Sequence, residues 1–101
     1  MGKRVVITGL GAVTPLGNNV SDTWTGVKEN RLGISLIEKF DASDLPIKVA
    51  GQVKNFDPLE YMEKMEAKRM ERFTQFAVVA SNEAIADCGT DFKELDPYRA
   101  G

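Results

Sequence analysis

Near the start of the chain, Val5-Val6-Ile7-Thr8 form a β-branched, apolar run with no polar alternation, and Gly9, Gly11, Pro15 and Gly17 follow at once. Such a run predicts a strand over residues 4–8 covered on both faces. The glycines and the proline forbid a regular element immediately after it, so a tight loop follows. This is a demanding start for 101 residues. A strand buried on two faces needs helices above and below and paired strands alongside.

The later segments supply few such partners. Residues 21–30 read as a short amphipathic helix capped by Asn19 or Ser21, with Val20, Trp24 and Val27 on one face and Gly33 placed to end it. Residues 34–46 lack strong periodicity and predict a surface connection, anchored by Phe40 and closed by Pro46. Residues 47–53 alternate as a half-exposed strand. Asp57-Pro58-Leu59-Glu60 joins an N-cap acid, a first-turn proline and an acid three positions after the cap, which starts a short helix through about Met62.

The strongest element is a long helix over residues 66–88, ended by Gly89. Phe73, Ala77, Ala80 and Ala84 recur at helical spacing, Phe76 and Val79 broaden the stripe, and the alanines permit close packing. Trp24, Phe73 and Phe76 are expected as core anchors. Residues 90–101, with Pro97, predict polar turns. The class is α/β, and the element list is short enough to predict one piece, residues 1–101, of a larger domain.

Composition narrows the chemistry. With 43% hydrophobic and 28% charged residues the chain is globular in character. A net charge of -2 gives no general reason to expect nucleic acid or an anionic membrane as partner. No apolar run approaches the roughly 20 residues that span a bilayer, and the N-terminal run is too short for a signal peptide's core. These features, with the single cysteine Cys88, predict a cytoplasmic protein. There is no histidine, so no Ser-His or Cys-His nucleophile pair exists in these residues, and one thiol cannot build a structural zinc site. No segment has the spacing of an EF-hand loop.

Three local features invite a functional reading. Gly9-Leu10-Gly11-Ala12-Val13-Thr14 follows a predicted strand, as a dinucleotide-binding turn would. However, Thr14 stands where that fingerprint needs Gly or Ala, and Pro15 with Gly17 stops a helix opening in register. A turn under steric demand for glycine explains the segment better. Cys88 sits at the C-terminal end of its predicted helix, after Asp87, where thiolate is disfavoured, so it reads as a small packing residue. Lys64, Lys68 and Arg72 stand four apart and would form one positive stripe on a continuous helix, with Arg69 beside Lys68. Glu63, Glu66 and Glu71 are interleaved with them, so this is either a solvated face laced with ion pairs or a docking surface for an acidic protein.

Residues 4–17, together with Glu66-Ala67-Lys68-Arg69-Met70-Glu71-Arg72-Phe73, resemble the N-terminus of a β-ketoacyl-[acyl-carrier-protein] synthase, of the elongating type called synthase II. Thr8 to Gly11 and Thr14 to Asn18 match the family's Thr-Gly-Leu-Gly and Ser/Thr-Pro-hydrophobic-Gly-Asn patterns. The resemblance runs from Lys3 to the end of the chain and covers about a quarter of a family member. It implies the N-terminal part of a thiolase-like α/β fold, layered αβαβα in the complete protein, which works as a cytoplasmic homodimer. It implies elongation of fatty acids: a cysteine takes an acyl group from acyl carrier protein, and two histidines assist decarboxylation of malonyl-carrier. The resulting carbanion then attacks the acyl thioester.

That cysteine and those histidines match no position here, so no catalytic, cofactor or metal residue is assigned. By position, Lys64, Lys68 and Arg69 are the implied carrier-protein contacts. Met65 departs from the pattern, since many relatives have lysine there. The resemblance leaves open a non-catalytic short protein that binds carrier protein through this helix.

Overall fold

The computed structural model describes residues 2–101, leaving Met1 outside the description. Helix α1 spans Val20–Lys28, strands β1 and β2 span Ile34–Leu36 and Val49–Gly51, helix α2 spans Lys64–Arg69 and helix α3 spans Arg72–Cys88. Single 3₁₀ turns at Pro58–Glu60 and Phe92–Glu94 complete the regular structure.

Several local expectations hold for the stated reasons. Asn19 caps α1, its side-chain oxygen accepting the Asp22 N–H at 2.8 Å. Asp57 accepts the Leu59 N–H at 3.0 Å and opens the turn at Pro58, although only one 3₁₀ turn forms. Gly89 ends α3 in the left-handed region at φ 65°, a conformation that favours glycine. Of residues 47–53, expected as a strand, only 49–51 form one, with Val49 and Gly51 exposed and Ala50 half-buried.

Its partner, β1, falls inside 34–46, where the sequence predicts only a connection. The two strands are antiparallel, pairing Ile34 with Gly51, Ser35 with Ala50 and Leu36 with Val49. Gln52 prolongs the pairing with its side chain, which donates to Ser35 Oγ and the Leu36 carbonyl and accepts the Glu38 N–H. Three residues are too few for a periodic signal, which is why β1 escapes a pattern-based reading. Phe40 is exposed and anchors nothing.

Loop and helices are tied together at two places. Thr14 closes a tight turn: its N–H donates to the Gly17 carbonyl at 2.8 Å, and its hydroxyl accepts from Leu16 N and Gly17 N and bonds the Thr23 hydroxyl. Pro15 and Leu16 at its tip wedge between α1 and the hairpin, Leu16 filling the space above Gly26 and Pro15 lying over Gly33 and Gly51. Upstream, the backbone of residues 9–12 lies directly on α3. A Cβ on Gly11 would collide with the Ala80 carbonyl and one on Gly9 with the Ala84 carbonyl. Ala80 and Ala84 therefore pack against a glycine-bearing loop, not against a helix or a sheet, and Ala77 is exposed. Carboxylates on the same helix satisfy the loop: Glu83 accepts Ala12 N–H at 2.9 Å and Val20 N–H at 3.1 Å, and Asp87 accepts Leu10 N–H at 3.0 Å.

Other expectations fail. Residues 4–8 are not in a ladder, and Val5 is 94% exposed, with Val6 and Ile7 also exposed. Pairing requires an adjacent strand edge, and the two-stranded sheet consists of β1 and β2 alone, with residues 4–8 on neither edge. Trp24 is 58% exposed and Phe73 73% exposed, so neither anchors a core; Phe76 is half-buried. Gly33 does not end α1: the helix stops at Lys28, and Asn30 takes the positive φ of 55°. Among the described residues the buried apolar side chains are Ala42, Phe56, Ala67 and Val79. The radius of gyration is 17.3 Å, against about 13 Å for a compact domain of this length. The apolar faces outnumber the surfaces available to cover them.

Gly11→Ala is expected to lower the free energy of unfolding by about 1–3 kcal/mol, because the added methyl meets backbone, which cannot rotate away. Urea unfolding of the protein as its native cells make it checks this; an unchanged midpoint would remove the close-approach explanation.

Candidate functional site

The basic segment forms an elbow of two helices, not one rod. Helix α2 is six residues long, opens at Glu63 without a side-chain cap bond and carries Glu66 in its first turn. Lys68 and Arg69 lie in its last turn, where cations complement the negative end of the helix dipole. So short a helix does not hold by its own hydrogen bonds. Two contacts fix it. Ala67 is buried beneath it. Gln75, on the second turn of α3 and only 8% exposed, donates from Nε2 to the Ala67 carbonyl at 3.0 Å. Met70 then leaves helical geometry, with φ -112° and ψ 138°, and α3 begins two residues later.

Under the elbow lies an aromatic cluster. Phe56 stacks on Tyr61 at 5.4 Å and meets Phe76 edge-on at 4.9 Å. The Arg72 guanidinium lies 5.5 Å from the Phe56 centroid and 5.1 Å from that of Phe76, within cation–π range. This corrects the single positive stripe expected from the sequence. The break at Met70 and Glu71 takes Arg72 out of register with Lys64 and Lys68 and turns it onto the rings.

What remains on α2 is Lys64 and Lys68 on one face with Arg69 adjacent, all exposed. Among the described residues the one ion pair within 4 Å is Arg31 with Glu29, so the interleaved Glu63, Glu66 and Glu71 do not lace this face. Met65, at the position that departs from the family pattern, is 63% exposed between the cations. Three lysine or arginine charges around one exposed methionine form a surface suited to an acidic partner with a small apolar contact.

The other candidates resolve differently. The loop at residues 9–14 is not shaped for a dinucleotide, because the N-terminus of α1 already receives the Glu83 carboxylate, which would repel a pyrophosphate. Cys88 is the last residue of α3, half-buried, with its Sγ donating to the Ile85 carbonyl at 3.1 Å. A hollow of about 490 Å³ lined by Thr14, Asn18, Asp22, Arg31, Lys54 and Asn55 contains none of the α2 cations; Asn18 spans it, donating to the carbonyls of Lys54 and Asn55. Among the described residues no three carboxylate, thiol or imidazole groups converge on a point a metal could occupy. No described helix is long and apolar enough to cross a membrane. Sequence reasoning missed Gln75; the signal was a polar residue embedded in the apolar stripe of Phe73, Phe76 and Val79.

A two-stranded sheet, a Thr-Pro-Leu-Gly wedge and a glycine-bearing loop seated on helix α3 make up part of an α/β fold. The chain belongs to the family described as "Beta-ketoacyl synthase, N-terminal domain", whose profile matches residues 2–101. It is 50% identical over 99 residues to "3-oxoacyl-[acyl-carrier-protein] synthase 2" of Synechocystis sp., 43% identical to the protein of the same name from Staphylococcus aureus (strain COL) and 40% to that from Vibrio harveyi. Each match covers 98% of this chain and 24% of the relative, so the chain spans about a quarter of their length. A solved structure, "The ishigamide ketosynthase/chain length factor", superposes with a TM-score of 0.76 at 29% identity, covering 89% of this chain and 22% of that one. The fold is the N-terminal part of the thiolase-like α/β architecture.

Cys88 is expected to alkylate with iodoacetamide at neutral pH no faster than free cysteine, since its thiol sits at a helix C-terminus and donates to a carbonyl. Alkylation much faster than that of free cysteine would overturn the packing role.

Proposed function

We propose that these residues belong to a β-ketoacyl-[acyl-carrier-protein] synthase of the synthase II type that elongates fatty acids. In this reading an acyl group passes from the carrier thioester to an enzyme cysteine, releasing the carrier thiol. Malonyl-carrier then loses CO₂, and its carbanion attacks the acyl-enzyme thioester, expelling the cysteine thiolate. The cysteine and the assisting histidines are not assigned to any of residues 1–101. The protein works as a cytoplasmic homodimer that takes acyl and malonyl groups from acyl carrier protein. The observation that carries the reading is the match of almost this whole chain to relatives that bear the synthase 2 name. The exposed run at residues 4–8 fits it as well, being an unpaired β-branched segment suited to a larger sheet.

The role of this segment is docking. Lys64, Lys68 and Arg69 meet the acidic carrier protein, with charge raising the encounter rate more than the final affinity. Their exposure and their lack of carboxylate partners among the described residues support this assignment over a solvated, ion-paired face.

Reversing Lys68 and Arg69 to glutamate together is expected to weaken carrier binding about tenfold at low salt, with the difference shrinking as salt screens it. Titration of the natural protein with acyl carrier protein at two ionic strengths measures this. Unchanged affinity at low salt would remove the docking role.

A further inference from the structure

The elbow beneath α2 joins two elements that the docking reading treats separately. Lys68 and Arg69 are on the last turn of a helix too short to persist alone, and Met70 and Glu71 are in extended geometry on the way to α3. A docking cation is useful only if its backbone is held, because an unfixed helix loses conformational freedom on every binding event. The carbonyl of Ala67, the residue immediately before Lys68, accepts the Met70 N–H at 3.3 Å and the buried Gln75 amide at 3.0 Å. Arg72, the first residue of α3, is held by Phe56 and Phe76. Phe56 in turn stacks on Tyr61, three residues before α2 begins. The two ends of α2 are therefore fastened to the same cluster, and neither fastening uses a cation of the docking face.

We infer that Gln75 is a positioning residue for carrier-protein recognition: its amide bond to the Ala67 carbonyl fixes α2, and hence the aim of Lys68 and Arg69, while making no contact with the carrier. Arg72 supports it from the aromatic side, its charge turned inward and spent on the rings. The inference rests on the docking role proposed above. It predicts a residue whose loss changes recognition without changing the charge of the surface.

Gln75→Met keeps length and volume and removes the amide donor. In the protein as its native cells make it, this variant is expected to raise KM for acyl carried on acyl carrier protein about fivefold, the usual consequence of losing one neutral hydrogen bond. It should leave kcat unchanged, and also the rate with the same acyl group on a small thioester such as acyl-N-acetylcysteamine, which has no carrier to dock. Because surface charge is unaltered, the salt dependence of KM should keep its wild-type slope, whereas the double reversal of Lys68 and Arg69 flattens it. Arg72→Lys, which keeps the charge but weakens the ring contact, should raise the same KM.

An unchanged carrier KM in Gln75→Met overturns the positioning role, even if its melting temperature falls. An equal loss with the small thioester overturns it too, by showing general damage. Where the double reversal weakens binding and Gln75→Met does not, the elbow is wrong and the docking face stands. Where the double reversal has no effect, the docking face itself fails and the positioning role fails with it.

Discussion

The backbone of residues 9–12 pressed onto helix α3 is the contact on which the arrangement depends. Two glycines let the chain approach within van der Waals distance of the Ala80 and Ala84 turns, and any side chain there would meet helix carbonyls. Close approach turns backbone N–H groups toward the helix, where they need acceptors. Helix α3 provides them from Glu83 and Asp87, one turn apart. Glu83 also receives the first N–H of α1, so one carboxylate sets the loop and the helix after it while lying where a helix dipole favours an anion. The residues nearest the start of the chain and those of its last long helix are thereby fixed in one frame. The Pro15–Leu16 wedge carries that frame on to the hairpin through Gly26, Gly33 and Gly51.

The same helix α3 organises the candidate docking surface from its other end. Its first two turns present Arg72 and Phe76 to Phe56, and Gln75 to Ala67. The basic helix α2 is thus mounted on the element that seats the glycine loop. Carboxylates near the C-terminal half of α3 bind backbone, and an arginine and a glutamine near its N-terminus hold rings and a carbonyl. Of the cations in residues 64–72, Lys64, Lys68 and Arg69 stay exposed. This division explains why Arg72, though in sequence register with Lys64 and Lys68, is withdrawn from the surface.

Much of the local structure was legible beforehand because it follows from residue-level sterics and hydrogen bonding. Asn19 and Asp57 cap what they were expected to cap, and Gly89 adopts the left-handed geometry that ends α3. The need for glycine in residues 9–11 was read correctly, and α3 supplies the reason. The misreadings share a cause: each depends on a surface elsewhere. Val5 lies in an unbroken apolar run and Trp24 and Phe73 on periodic apolar faces, but such patterns state only that a face is apolar, not that something covers it. The helix expected over 66–88 has unbroken helical propensity, and only the buried Gln75 and the aromatic cluster show why the chain bends at Met70. The three candidate docking residues were identified by position in a motif; their exposure was not readable until the elbow was in view.

The sequence alone determined the family, the capped helix starts, the left-handed stop and the helix-end position of Cys88, since each is written in residue types a few positions apart. Tertiary structure decided which glycines touch which helix, which cation turns inward onto rings and which stay on the surface, and how a six-residue helix is held. Those outcomes depend on contacts between residues up to 77 positions apart, as between Leu10 and Asp87, and no local pattern encodes a separation of that size.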